Sequence, residues 1–436
     1  MVFAFCYVEG CKFKPLLLST ESFSIPDVTL FTNNCLVGAI AGDAMHLSAT
    51  EGSRGSARFG SLRRPSQQRA SLQRSQSAGF VPSIRGGPAV RVALCIPMRG
   101  SEGIWGPSCM ASAELAAAEL NTMAGILGRP CELLPVDASD ESPDIEQTLI
   151  GLIEDGEIDA LVGMHISSVR QRITAAVGGC LPYVYTCLYE GGESTPGVYA
   201  IGETAARQLR PSIAWLATHR KRKRKRWMLV GNDYIWPRVS QQIARQCIAD
   251  SGGEVMAETF VPFGADDYSP IFDTLRTARC DAVLVSLVGQ DAVEFNRAFA
   301  REGLQRSVLR LSCGTEENQL LAIGADCAED LHVAMGYFAT LDTDANGSFK
   351  ERYHGRFGAR APTLNSIGQS LYEGVHFLAA LLDDTESARC GRPLRGCAPL
   401  AYQSARGAIQ FGAGMNLAPM YLACAEGHLF RVIAQL

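Results

Sequence analysis

From Val90 onward, short apolar runs alternate with stretches whose apolar residues recur every three or four positions. AVRVALCIPM, Cys131–Val136, Ala160–Val162 and Leu181–Tyr185 read as strands, and Ala160–Val162, apolar without alternation, has the pattern of a strand covered on both faces. Ser108–Asn121, Ile145–Glu154 and Val169–Val177 lie between them and carry helical spacing, while Gly100–Pro107, Gly125–Pro130 and Thr186–Ser194 read as loops. A second set follows. Helices are predicted at Ala205–His219, Val239–Ser251, Tyr268–Ala278 and Ala292–Glu302, with a short one ending at Ile323. Strands are predicted at Trp227–Val230, Val255–Val261, Ala282–Leu287 and Val308–Leu311. Strand and helix thus alternate in two similar halves, roughly 90–204 and 205–330. That predicts an α/β fold of two Rossmann-like lobes with parallel sheets, not a short-period solenoid. The chain then adds a strand at VAMGYF, helices at Asn346–Phe357 and Ser366–Leu382, a loop at Gly391–Gly396, and strands at Gly407–Phe411, Met420–Ala425 and Leu429–Ile433.

Polar and aromatic residues gather just after the predicted strand ends. The first half supplies Trp105, Ser167, Ser168, Tyr185, Thr186, Cys187, Tyr189 and Glu190. The second supplies Asp233, Tyr234, Trp236, Gln290, Asp291, Glu316 and Glu317. The carboxyl ends of parallel strands share one edge of their sheet. Two such edges facing each other would enclose a cleft walled by aromatic rings, with a few hydroxyls and carboxylates to orient a polar ligand. Ser167 and Ser168 open the third predicted helix. There a hydroxyl caps the helix, or joins its free N–H groups as a seat for a carboxylate or carbonyl. Every one of these residues also has a plain structural reading as cap, core ring or solvated carboxylate. Their recurrence at strand ends is what points to a site.

A length of 436 residues predicts at least two lobes, and a net charge of −5 does not imply nucleic acid. No apolar run reaches the ~18 residues of a membrane span. Residues 1–88 are expected to lie outside the packed domain as a disordered or non-native extension. Ser48–Gly87 is rich in Ser, Arg, Gly and Gln, with few large apolar residues to offset chain entropy. The N-terminus does not show the ordered parts of a secretory signal. The basic run His219–Arg226 reads as a solvated connection at a helix C-terminus, where the helix dipole favours cations, with nucleic-acid binding as the other reading. The chain has 15 cysteines and no CxxC pair, so zinc and redox motifs are unsupported and no cofactor is expected. Cys95, Cys180, Cys247, Cys280 and Cys424 sit in apolar segments as small hydrophobes. Cys390 and Cys397 flank a loop and can pair if the protein is exported. No G-x-S-x-G, HExxH or P-loop pattern occurs. His165 beside Ser167 suggests a nucleophile and base but offers no third orienting group, so a binding protein is expected, not an enzyme.

VRVALCIPMRGSEGIWG, AAAELNTMAGILGRPCELLPVD, LVGMHISSVRQRI, YTCLYEG, VGNDYIWPR, LVGQD and GYF, in this order, resemble the type I periplasmic-binding-protein family. The likeness is to the branched-chain amino-acid receptors, and within them to the amide- and urea-binding branch that includes a short-chain amide sensor. It covers about residues 90–435. The resemblance implies two lobes joined by three hinge crossings, near Gly202–Ala205, Met335–Thr340 and Gly407–Phe411. One lobe would take 90–204 with 335–406, the other 205–334 with 407–436. Ser167 matches the serine that binds the ligand's carboxylate or amide, and Trp105 an aromatic cover. Tyr185, Thr186 and Cys187 match the second strand-end contact, and Tyr234 and Trp236 paired aromatics. Glu316 or Glu317 falls where an acidic residue receives an ammonium group. His165 stands where the amide branch has tyrosine, and Cys187 where threonine is usual. The implied function is a periplasmic receptor delivering a small amide, urea or amino acid to an ABC permease. The alternative is a cytoplasmic sensor acting through a regulator protein.

Overall fold

A computed structural model describes residues 84–219, 225–384 and 399–436. Two open sheets organise the chain. The first is wholly parallel: β1 (Val90–Ile96), β2 (Cys131–Asp137), β3 (Ala160–Gly163), β4 (Tyr183–Tyr185) and β5 (Val198–Ala200), in the order β2-β1-β3-β4-β5. Helices α1 (Gly106–Met123), α2 (Ile145–Glu154) and α3 (Ser167–Val177) connect its strands. All of β3 is buried, and β1 nearly so, which is why both read as unbroken apolar runs.

The second sheet holds seven strands, interleaved with four helices. After α4 (Ala205–His219) come β6 (Arg226–Asn232), α5 (Ile235–Asp250), β7 (Glu254–Val261), α6 (Ser269–Thr277), β8 (Ala282–Ser286) and α7 (Gly289–Arg301). Next are β9 (Leu309–Ser312), α8 (Glu317–Ile323) and β10 (Leu331–Met335). These five strands are parallel. After α9 (Asp344–Phe357), α10 (Ser366–Asp383) and the small sheet of β11 (Leu400–Ser404), β12 (Gly407–Gly412) and β13 (Met415–Asn416), the sheet gains β14 (Tyr421–Glu426) and β15 (Leu429–Gln435). Both of these pair antiparallel, in the order β15-β14-β10-β9-β8-β6-β7. The chain is therefore an α/β fold of two lobes with mainly parallel sheets. It passes between them three times, after β5, after β10 and after β13.

Several elements differ from expectation. Gly407–Phe411 is not a crossing. It pairs with β11, Leu400 opposite Phe411, and the hairpin packs on α10, with the Phe377 ring 5.2 Å from both Tyr402 and Phe411. The third passage to the second sheet comes only beyond Asn416. Nor are residues 84–88 outside the packed domain. Ile84 packs on the core, Arg85 donates to the Ile153 carbonyl at 3.1 Å, and its own carbonyl accepts from Arg129 at 2.8 Å. Helix α10 lies close against α1: a Cβ on Gly368 would sit 2.8 Å from that of Ser108. Residues 1–83, the basic run at 220–224 and the Cys390–Cys397 loop lie outside the described residues. Among the described residues, no helix is long and apolar enough to cross a membrane. No group of three or more His, Cys, Asp or Glu among them could hold a metal ion.

Candidate binding site between the lobes

The strand ends of the two sheets meet around a narrow hollow of about 10 Å³. Trp105, Ile166, Ser167, Cys187, Leu188 and Ile367 line it from the first lobe's side, and Tyr234, Val288 and Gly314 from the second. Four of the eleven residues expected to bind ligand therefore share it: Trp105, Ser167, Cys187 and Tyr234.

Ser167 is buried to 1% exposure, and its hydroxyl has no hydrogen-bond partner. It is the first residue of α3, whose N-cap is Ile166, so no side chain caps this helix. The neighbouring Ser168 hydroxyl instead turns away and donates to Asp140 at 3.0 Å. A buried hydroxyl left open beside the free N–H groups of a first helical turn is costly unless something supplies the missing partner. Trp105 forms another wall at 2% exposure. The Tyr234 ring rests against Trp236 and Phe263, with centroids 6.3 and 5.4 Å away. Burial pushes the Tyr234 phenol well above its ordinary range and the Cys187 thiol up to about 12, so both remain neutral.

The other expected contacts lie outside this hollow. Glu316 does not face it. The carboxylate caps α8, accepting from Asn318 N at 2.7 Å and Gln319 N at 3.1 Å, while the Gln319 side chain accepts from Glu316 N at 3.0 Å. Burial, then the Glu317 charge, raises the Glu316 carboxyl to about 8 against the backbone N–H groups and the Trp105 indole. Glu317 accepts from Ala339 N at 2.8 Å, and burial raises it to about 7. Gln290 is exposed and its side chain donates to Glu294 at 2.8 Å. Tyr185 is spent on the His165 carbonyl at 2.8 Å. Trp236 is core, packed behind Tyr234. Thr186 pairs with Ser370 at 2.9 Å and faces a second hollow. Tyr185, Thr186 and Glu317 bond to partners distant in sequence, whereas Gln290 and Glu316 bond within their own helix starts.

His165 is also accounted for. It is fully buried, its ring nitrogens lie 2.9 Å from the Tyr183 hydroxyl and 3.2 Å from the Ile166 carbonyl, and burial holds its pKa near 3. It makes no hydrogen bond to Ser167. The loop that carries Cys187 and Leu188 is braced by the buried Arg170, which pairs with Glu190 at 2.6 Å and with Glu193 and lies 5.5 Å from the Tyr185 and Tyr189 rings.

The second hollow, about 20 Å³, lies at the hinge and shares the wall of Cys187, Leu188 and Ile367 with the first. Arg406 dominates it. Its guanidinium grips Glu373 at 2.7 and 2.8 Å, Glu203 at 2.8 Å and the Gly336 carbonyl at 3.1 Å. Glu203 belongs to the first passage between the lobes and Gly336 to the second, so one cation ties both to α10. A Cβ on Gly336 would sit 2.0 Å from the Glu203 carboxylate.

Sequence reasoning missed Ile166, Leu188, Val288, Gly314 and Ile367. All are apolar or glycine and look like core. Val288 and Gly314 follow strand ends and so carried a faint positional signal, whereas Ile367 comes from α10 and carried none.

The sequence profile of a family described as periplasmic binding protein matches residues 89–426. A curated relative, the Leu/Ile/Val-binding protein homolog 6 of Brucella melitensis, is 27% identical over 167 residues, 37% of this chain and 42% of the relative. The match thus spans about two-fifths of that protein's length. Among solved structures, an ABC transporter substrate-binding protein from Sphaerobacter thermophilus superposes with a TM-score of 0.66 at 20% identity, over 80% of this chain and 98% of that one. A solute-binding protein from Rhodopseudomonas palustris HaA2 in complex with p-hydroxybenzoic acid gives 0.69 at 17% identity, over 80% and 97%. A leucine-binding protein from Thermotoga maritima gives 0.67 at 17%, over 80% and 99%. At such identities these structures show a shared fold. With the family match over most of its length, the chain belongs to the type I periplasmic-binding-protein family, and its likeness runs to the branch of Leu/Ile/Val-binding proteins.

Proposed function

We propose that the protein captures a small, largely apolar solute bearing one carboxylate or amide group and delivers it to an ABC importer. The observation that carries this reading is the open Ser167 hydroxyl at the start of α3, set in a hollow otherwise walled by rings and aliphatic side chains. A carboxylate or amide oxygen there would accept from the hydroxyl and from first-turn N–H groups. The rest of the solute would lie between Trp105 and Tyr234 and displace water from apolar surface. The hollow as it stands leaves about 10 Å³, about the room of one water, so a solute fits only with the lobes further apart.

No carboxylate lines the hollow, and Glu316 is engaged in capping, so a free α-ammonium group would be buried without a partner. That favours an amide or a simple carboxylic acid over an α-amino acid, and an apolar one over urea. The first lobe is taken to comprise the parallel five-stranded sheet with α9, α10 and the 400–416 sheet, and the second lobe the rest. Closure of the two on a ligand that touches both would favour the shut form. Family membership supports work outside the cytoplasm. Calorimetry with benzoate, benzamide, leucine and urea tests the reading. Benzamide or benzoate is expected to bind more tightly than leucine or urea by at least about tenfold, and leucine or urea binding as tightly would reject it.

A further inference from the structure

Helix α7 has an apolar N-cap, Val288, and no side chain of its own caps it. Its cap comes from the other lobe. Ser101, in the short turn that follows β1, accepts at its hydroxyl oxygen from Gln290 N at 3.0 Å and Asp291 N at 3.4 Å. The same hydroxyl donates to the Val288 carbonyl at 3.3 Å. Gln290 and Asp291 are the second and third residues of α7, the positions whose N–H groups a local N-cap side chain would satisfy. Gly289 makes the approach possible. Its φ is +54°, and a Cβ there would lie 2.1 Å from the Ser101 carbonyl oxygen.

The receiving end is also held from within its own lobe. Asn232 donates to Asp291 at 2.7 Å and accepts from Val288 N at 3.0 Å, and Asp291 also accepts from Gly264 N at 3.1 Å. Three residues further along from Ser101, the Ile104 carbonyl accepts from Asn318 at 3.4 Å, a second bond between the lobes. Trp105 and Val288, each next to these contacts in sequence, are both walls of the central hollow.

We infer that Ser101 is a positioning residue for solute capture: by capping α7 across the cleft it latches the lobes shut and sets how long a bound solute is held. The latch rests on the proposed capture only for its effect on release, because its own bonds involve no ligand. A local N-cap serine replaced by alanine costs about 1 kcal/mol, or about fivefold in an equilibrium. Ser101→Ala is therefore expected to speed hydrogen exchange of a 287–294 peptide about fivefold in the ligand-free protein. Ser101→Thr, which keeps the hydroxyl, is expected to restore the wild-type rate. With benzoate as the probe, stopped-flow should show about fivefold faster release from Ser101→Ala, association being unchanged. A purely structural role would lower the melting temperature and leave the release rate alone. Equal exchange in wild type and Ser101→Ala overturns the latch. Failure of benzoate to bind either protein counts against the capture reading, and the exchange result still decides the latch.

Discussion

Two helix starts follow strand ends close to the same cleft, and they finish their hydrogen bonding in opposite ways. At the start of α8, Glu316 and Gln319 bond reciprocally to each other's backbone. At the start of α3 the N-cap is an isoleucine, and Ser167 points an open hydroxyl into a hollow. Both sites carry the residue types expected of a ligand contact. The cap of α8 uses both of its partners, whereas Ser167 keeps spare hydrogen-bonding capacity beside the hollow, and that capacity, more than residue type, supports the proposed seat for a solute.

The sharpest break of this comparison is Ser167→Ala. Benzoate or benzamide affinity is expected to fall about 10- to 100-fold by calorimetry, in line with the loss of one hydrogen bond to a charged or polar group. Folding stability should hold or rise slightly, because the change removes a buried hydroxyl that has no partner. Loss of stability with unchanged affinity would reverse the assignment of the two helix starts. Glu316→Ala is the mirror image and a smaller effect. It is expected to cost about 1 kcal/mol of stability in urea unfolding, with affinity changed less than about twofold.

A third expected effect is in pH. Burial raises the carboxyls of Glu316, Glu317 and Glu102 to about 8, 7 and 7 in the folded chain. An unfolded chain releases those protons above about pH 4.5. Their contribution is therefore fully present below that pH and is lost as pH rises through 7 and 8. His165, held near 3 when folded, has the opposite sign, but its effect is confined below about pH 6.5. From pH 6.5 to 8.5 stability should fall with rising pH, and Glu316→Gln should flatten the slope. A slope of the other sign, or one unaltered in Glu316→Gln, would contradict this account.

Much of the architecture was legible in the chain because parallel strands buried on both faces, such as Leu94 to Ile96 and Ala160 to Val162, leave runs with no polar interruption. Two other strands left no such trace. Val198–Ala200 is three residues long, and Leu400–Ser404 alternates buried and exposed side chains that only the neighbouring hairpin strand explains. Trp105, Ser167, Cys187 and Tyr234 share one hollow because strand ends bring them to one edge. Tyr185, Gln290 and Glu316 do not line it, because each bonds elsewhere: to the His165 carbonyl, which folding brings from afar, to the Glu294 carboxylate one helical turn on, and to the N–H groups that open α8.

Trp105 stands in the turn of one lobe, with the Glu316 carboxylate of the other close enough to its indole N–H to feel it. An indole is an optical probe, and its emission shifts when nearby charge or water changes. The protein thus carries its own fluorophore at the meeting point of its halves, and a screen for solutes needs no attached dye.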